Sequence, residues 1–155
     1  MTTIQFTQEG FDNLKTEYDE LINTKRAKAV SRLALARSMG DLSENSEYTA
    51  AKEELSFVEG RIQELEELMK NAVVADSKNT AKGRIDIGCK VQVEKNGQKE
   101  EYTIVGEFEA NPLEKKLSHT SPIGKALIGK KKGDSIAVEV PVGKLVYKII
   151  EVHEG

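Results

Sequence analysis

The sequence predicts an α+β protein: an N-terminal antiparallel α-helical coiled-coil hairpin, then a C-terminal antiparallel β domain with one short helix. Three observations predict it. Apolar residues in the first half recur at helical period. In the second half they fall into short β-type runs, and glycine-containing turns separate several of those runs. At 155 residues the chain is long enough for one ordinary domain or two small ones. Trp is absent and aromatics make up 5%, so a helical element beside a modest sheet suits the composition better than one large core.

The first half reads as two long helices. Thr7 is the expected N-cap of the first, its hydroxyl accepting from an early backbone N–H. Phe11, Leu14, Tyr18, Ile22, Ala29, Leu33 and Ala36 then form one apolar stripe. Ser38-Met39-Gly40 breaks the run, Gly40 being free to take the left-handed conformation that ends helices. A second helix is expected from Asp41 or Ser43. Its stripe is Tyr48, Ala51, Leu55, Val58, Ile62, Leu65 and Met69, alternating steps of three and four as a coiled-coil seam requires. Joined by a short turn, the two must fold back antiparallel into a finger, residues 1–75, with its tip at residues 38–45.

Residues 76–83 read as a polar linker, and residues 84–155 as the β domain. Its expected strands are Lys90–Glu94, Tyr102–Val105, Lys116–His119, Ser135–Val140 and Lys144–Val152. Asn96-Gly97 between the first two is a strong hairpin signal. Ile123–Ile128 reads as a short helix, with Ser121 as N-cap and Pro122 in the first helical position.

Charge and cysteine content exclude several classes. A formal net charge of −3 argues against a generic nucleic-acid coat. The distribution is uneven: residues 1–75 carry nine basic and fourteen acidic side chains, residues 76–155 fourteen and twelve. Within the acidic half, Lys25, Arg26, Lys28, Arg32 and Arg37 cluster without an intervening acid. They read either as flanking charges paired with Glu53, Glu54, Glu59 and Glu64, or as a track that guides phosphate toward the tip. The single cysteine, Cys89, excludes an internal disulfide and a cysteine zinc cluster, and reads as a small buried hydrophobe. With no basic leader and no run of roughly 20 apolar residues, a soluble cytoplasmic protein is expected.

The tip carries the chemistry. In a helix starting at Asp41, Asp41 and Glu44 stand three residues apart on one face, about 5–6 Å between Cβ atoms. Two such oxygen donors can share a Mg²⁺, although that ion wants six ligands, so another macromolecule or a phosphate must complete its shell. The same spacing is also that of a capping box, in which the two side chains only satisfy free N–H groups. Glu47 reads as solvated surface, as do Lys130, Lys131 and Lys132. His119 and His153 lack metal-ligand spacing.

Gly40-Asp41-Leu42-Ser43-Glu44-Asn45-Ser46-Glu47-Tyr48, with Ala50-Ala51-Lys52 and Glu59-Gly60-Arg61-Ile62, resembles the tip and second helix of the bacterial Gre factors. Ser121-Pro122-Ile123-Gly124-Lys125-Ala126-Leu127-Ile128-Gly129, with Gly133-Asp134 after it, is similar to that family's C-terminal domain. The resemblance covers essentially the whole chain, in the right order. It implies an FKBP-like C-terminal domain that docks on the rim of the secondary channel of bacterial RNA polymerase while the finger enters the channel. There Asp41 and Glu44 would help hold a Mg²⁺ shared with the polymerase and orient a water. The polymerase itself would then cleave the backtracked nascent RNA near its 3′ end. On this resemblance the chain is not an enzyme, holds no tightly bound metal alone and is a monomer without membrane contact. Ser43 and Tyr48 would shape the tip, Arg37 and Lys52 would contact RNA phosphate or polymerase, and Thr120, Ser121, Pro122 and Ile123 would dock on the rim. Three alternatives are weighed: a relative that fills the channel without promoting cleavage, against which the Asp41/Glu44 pair argues; a prolyl isomerase, for which Tyr102, Phe108 and Tyr147 are few aromatics to line a proline pocket; and a coiled-coil adaptor.

Overall fold

A computed structural model describes residues 3–40, 44–75 and 83–154. The chain divides into two compact units, a helical one of residues 12–71 and a sheet unit of residues 1–11 with 72–155. The expected finger ran from residue 1 to residue 75. Its first and last residues instead join the sheet unit, because they pair with each other and with groups beyond residue 100. Of the expected linker only Gly83 is among the described residues.

In the helical unit, α1 (Gln8–Glu20) continues through a π-helical turn (Leu21–Lys25) into α2 (Arg26–Ser38), and α3 (Ser46–Lys70) returns beside them. Thr7 caps α1 as expected, its Oγ1 accepting from Gly10 N at 3.0 Å. The buried seam of this first arm is Leu14, Leu21, Ala29 and Ala36, spaced seven, eight and seven residues apart. An ordinary helix would rotate a residue eight positions on away from the seam. The π turn absorbs the extra residue: Arg26 N–H donates to the Leu21 carbonyl, five residues back. Leu21 is therefore buried and Ile22, expected on the stripe, only half-buried. On α3 the seam is Ala51, Val58, Ile62, Leu65 and Leu68, with Tyr48, Leu55 and Met69 half-buried beside it. Each large apolar side chain buried there contributes about 1.5–3 kcal/mol, so the seam rather than propensity holds the hairpin.

The sheet unit holds two sheets. In the first, β1 (Ile4–Phe6) pairs parallel with β2 (Ala72–Val74), Ile4 opposite Ala72. Neither strand was expected, since three residues carry almost no alternation. The second has the order β5-β4-β3-β7-β6, formed by β3 (Cys89–Lys95), β4 (Gln98–Val105), β5 (Lys116–Ser118), β6 (Ser135–Val140) and β7 (Gly143–Glu154). Asn96 and Gly97 turn β3 into β4 with φ of 53° and 81°, as a primed hairpin turn needs. The sheet is not wholly antiparallel, because β5 runs parallel to β4. Two 3₁₀ turns, Glu107–Glu109 and Pro112–Glu114, carry the chain back before β5 starts. The short helix α4 (Pro122–Leu127) follows, with Ser121 as N-cap accepting from Gly124 N and Pro122 at its first position. Ile85, Cys89, Val91, Val93, Ile104, Leu127 and Ile149 form the core.

The N-terminal strand is held by one carboxylate. Glu109 accepts from Thr7 N at 2.8 Å and Gly106 N at 3.1 Å, and the Thr7 hydroxyl donates to the same group. Phe6, 1% exposed, stacks on Phe108 with ring centroids 6.4 Å apart. At Gly106 a Cβ would stand 1.9 Å from the Gln5 carbonyl oxygen, so β1 passes where a side chain would be. Gly106→Ala must therefore displace β1. Overpacking of this kind costs about 1–3 kcal/mol, and each kcal/mol lowers Tm by roughly 4–8 °C for a unit this small. Calorimetry of the variant tests this, and an unchanged Tm would show that β1 does not depend on the close approach.

Candidate functional site

The site is built at the turn between α2 and α3. Ser38 ends α2, Met39 N donates to the Ala36 carbonyl at 3.1 Å, and Gly40 takes a φ of 110°. Asn45, extended at φ −87° and ψ 94°, caps α3: its Oδ1 accepts from Tyr48 N at 3.0 Å. Its Nδ2 donates to the Ala36 carbonyl at 2.7 Å. One side chain thus closes the start of α3 and the end of α2 together. Asn45 was not singled out from the sequence, although Asn ranks with Asp and Ser as the best N-cap.

This corrects the expected start of the second helix. The helix begins at Ser46, not at Asp41 or Ser43, because the extended backbone of Asn45 interrupts any helix entering from before it. Glu44 therefore lies in the turn before α3, and the cap of α3 is Asn45 rather than Asp41. Asp41 and Ser43 lie outside the described residues. Glu44 is exposed and has no hydrogen-bond or ion-pair partner among the described residues.

Tyr48 is half-buried, and the Arg37 guanidinium stands 5.9 Å from its ring centroid, a cation–π contact across the turn. The structure thus brings together Arg37, Asn45 and Tyr48. Lys52 is exposed one turn further along α3 and forms no ion pair among the described residues. Glu47 is not simply solvated: Arg32 donates to it at 2.6 Å and reaches Glu54 as well. The hydrogen bond from Arg32 holds the Glu47 carboxyl below the usual carboxylate value. Arg26 meets Glu59 at 3.5 Å, and Arg61 meets Glu17 at 2.8 Å and Glu64 at 2.7 Å. The cluster therefore divides, with Arg26 and Arg32 engaged across the hairpin and Lys28 without an ion pair among the described residues.

In the sheet unit, Ser121 accepts from Gly124 N at 3.0 Å and donates to the Ser118 carbonyl at 2.7 Å. Thr120 Oγ1 lies 2.6 Å from Ser118 Oγ, Pro122 is exposed, and Ile123 packs against the core. Beside this turn is an open cleft of about 290 Å³ lined by Asp86, Ile87, His119, Lys125 and Ile128. His119 Nε2 is buried there without a hydrogen-bond partner. His153 is exposed and Cys89 is wholly buried. Of the three aromatics considered for a proline pocket, Tyr102 and Tyr147 share Glu100 as a neighbour, whereas Phe108 lies apart from them. Tyr102 donates to Glu100 and lies beneath Lys115, Tyr147 lies beneath Lys95, and Phe108 stacks on Phe6. Among the described residues no three His, Cys, Asp or Glu side chains converge on a metal position, and no helix is long and apolar enough to cross a membrane.

A helical hairpin with an uncommitted carboxylate at its turn, attached to a small mixed-sheet unit, is the architecture against which known proteins can be compared. The family model described as transcription elongation factor, N-terminal, matches residues 4–74. That described as transcription elongation factor, GreA/GreB, C-term, matches residues 80–154. The chain belongs to the GreA/GreB family of transcription elongation factors. It is 48% identical over 150 residues to transcription elongation factor GreA of Thermoanaerobacter pseudethanolicus, covering 96% of each chain. It is 45% identical to GreA of Lactococcus lactis subsp. lactis, covering 97% of each. A solved structure, GreA factor homolog 1 of Thermus thermophilus, is 28% identical with a TM-score of 0.45, covering 97% of this chain and 99% of that one.

Asn45→Ala removes the α3 cap and leaves the Ala36 carbonyl without its amide donor. Cap loss alone costs about 0.5–2 kcal/mol, so the helical unit should lose at least that, read as a lower denaturant midpoint at unchanged slope. An unchanged midpoint would show that the turn is held elsewhere. The Glu17 carboxyl is also lowered, first by its hydrogen bond from Arg61. A lowered folded pKa gives stability that is present above the unfolded value and lost as pH falls through the folded one. Helical stability should thus decline as pH falls below the ordinary glutamate value of 4.5, modestly because the pair is exposed. Arg61→Met should flatten that decline, and an unaltered pH profile would remove the pair from the account.

Proposed function

We propose that this elongation factor acts by transcript cleavage: it binds bacterial RNA polymerase, inserts its helical hairpin into the secondary channel and stimulates hydrolysis of the backtracked RNA near its 3′ end. The observation that carries this is Glu44. Because Asn45 caps α3, the Glu44 carboxylate has no structural task, and it stands exposed at the turn with no partner among the described residues. A hard, anionic oxygen donor in that state fits Mg²⁺ as one ligand among six. Glu44 and Asp41 would hold the ion jointly with the polymerase and the RNA phosphate. Bound there, Mg²⁺ supplies charge stabilisation at the scissile phosphate and lowers the pKa of water.

What the chain's own residues contribute is placement. Asn45 fixes the turn, and Tyr48, with Arg37 across it, shapes the tip together with Ser43. Glu44 and Asp41 orient the attacking water. Arg37 and Lys52 contact RNA phosphate or polymerase. Thr120, Ser121, Pro122 and Ile123 dock on the channel rim. Only half of one metal site comes from the factor, so the hydrolytic activity remains that of the polymerase. The protein acts as a monomer in the cytoplasm, with no metal bound tightly in isolation.

The direct test adds the protein to stalled, backtracked elongation complexes and follows RNA length. Shortened RNA is expected with wild type, whereas Asp41→Ala and Glu44→Ala should each fall to the rate of polymerase alone. Both variants should still compete with wild type for polymerase, because docking lies in the other unit. Near-normal cleavage by either would remove that residue from the metal role. Binding without cleavage by wild type would identify a factor that only occupies the channel.

A further inference from the structure

We propose that the cleft beside the docking turn receives an acidic side chain of the polymerase, held between His119 and Lys125 over a floor of Ile87 and Ile128. This rests on the docking reading above and names the contact that gives it specificity. The first observation is the buried, unpartnered Nε2 of His119. Buried polar groups in folded proteins are nearly always paired, because an unmet one costs its full desolvation penalty. A ring nitrogen left so in the wall of an open cleft, one residue before Thr120, has the placement of a group completed on binding. A turn about the Cβ–Cγ bond, a soft torsion for an imidazole, brings its N–H to the incoming acceptor.

The charges in the cleft select the sign of the occupant. Lys125 is exposed on α4 and has no ion pair among the described residues. Asp86, the acid on the rim, is already engaged, its Oδ1 accepting from Ile87 N at 2.8 Å. Asp86 keeps its charge at one side of the cleft, Lys125 offers a cation unpaired among the described residues at the other, and residues 76–155 as a whole carry fourteen basic and twelve acidic side chains. Ile87 and Ile128 suit the methylene stem of a Glu or Asp, and charge complementarity of this kind sets specificity and encounter rate. A volume of about 290 Å³ admits a side chain.

Full-length protein and purified polymerase decide the matter, through the factor concentration that half-saturates cleavage and the rate at saturation. Lys125→Glu should raise the half-saturating concentration about tenfold and leave the saturated rate unchanged, since the tip is intact. His119→Val removes the unpaired nitrogen, so it should raise the Tm of the free protein while also raising the half-saturating concentration. A purely structural histidine would not move those two readouts in opposite senses. If either variant half-saturates at the wild-type concentration, or if Lys125→Glu lowers the saturated rate instead, the proposal is overturned while the docking reading stands. Wild-type protein that fails to engage polymerase at all overturns the docking reading, and this contact falls with it.

Discussion

The helical unit depends on how closely its two arms approach at the turn. Ala29, Ala36 and Ala51 are all 1% exposed or less, whereas the seam further from the turn is built from Leu14, Leu21, Val58, Ile62, Leu65 and Leu68. The distance between packed helices follows the size of the side chains between them, so alanines draw the arms together where the turn begins. That approach is what lets a side chain as short as Asn45 reach the Ala36 carbonyl at 2.7 Å while capping α3. Larger residues at these positions would bury more area but would separate the groups that Asn45 joins. The turn is thus fixed by small residues giving up some hydrophobic stabilisation.

The ion pairs along the hairpin have a different role. Arg32 with Glu47 and Glu54, Arg26 with Glu59, and Arg61 with Glu17 all involve side chains about a third exposed or more. Such pairs stabilise by about 0–1 kcal/mol each, little beside the seam. Their part is to favour particular neighbours across the hairpin rather than to supply stability. In the sheet unit a single carboxylate is more decisive. Glu109 satisfies donors of the N-terminal segment and its own turn together, which explains why the first residues of the chain fold with the last.

What was legible in the sequence was what repeats. The seam of α3 follows three- and four-residue steps, and five of its positions are buried as expected or one place away. The Asn96-Gly97 hairpin and the Ser121-Pro122 helix start follow from local backbone chemistry and were equally readable. The features that escaped are set by single residues or by distant partners. One additional residue between Leu21 and Ala29 is invisible to a search for a constant period, and it created the π turn. β1 and β2 are three residues each, and the whole helical unit lies between them in sequence. The parallel β5 depends on two 3₁₀ turns rather than on any alternation of its own. At the site, the spacing of Asp41 and Glu44 fitted a capping box as well as a shared ion, and Asn45, which caps α3, was not singled out because it belongs to no spaced pair.

That choice of Asn is itself informative about the tip. Asp would cap a helix about as well, and an anion is favoured at a helix N-terminus. Asp, however, accepts only, whereas the amide of Asn accepts from Tyr48 N with one atom and donates to Ala36 O with the other. Both contacts are made here, so the bridge across the turn requires an amide. An aspartate would also add a negative charge directly after Glu44 and two residues before Glu47. A neutral cap leaves Arg32 to neutralise Glu47 and leaves the charge of Glu44 uncommitted. The residue that fixes the turn is thus also the one that keeps its carboxylate available.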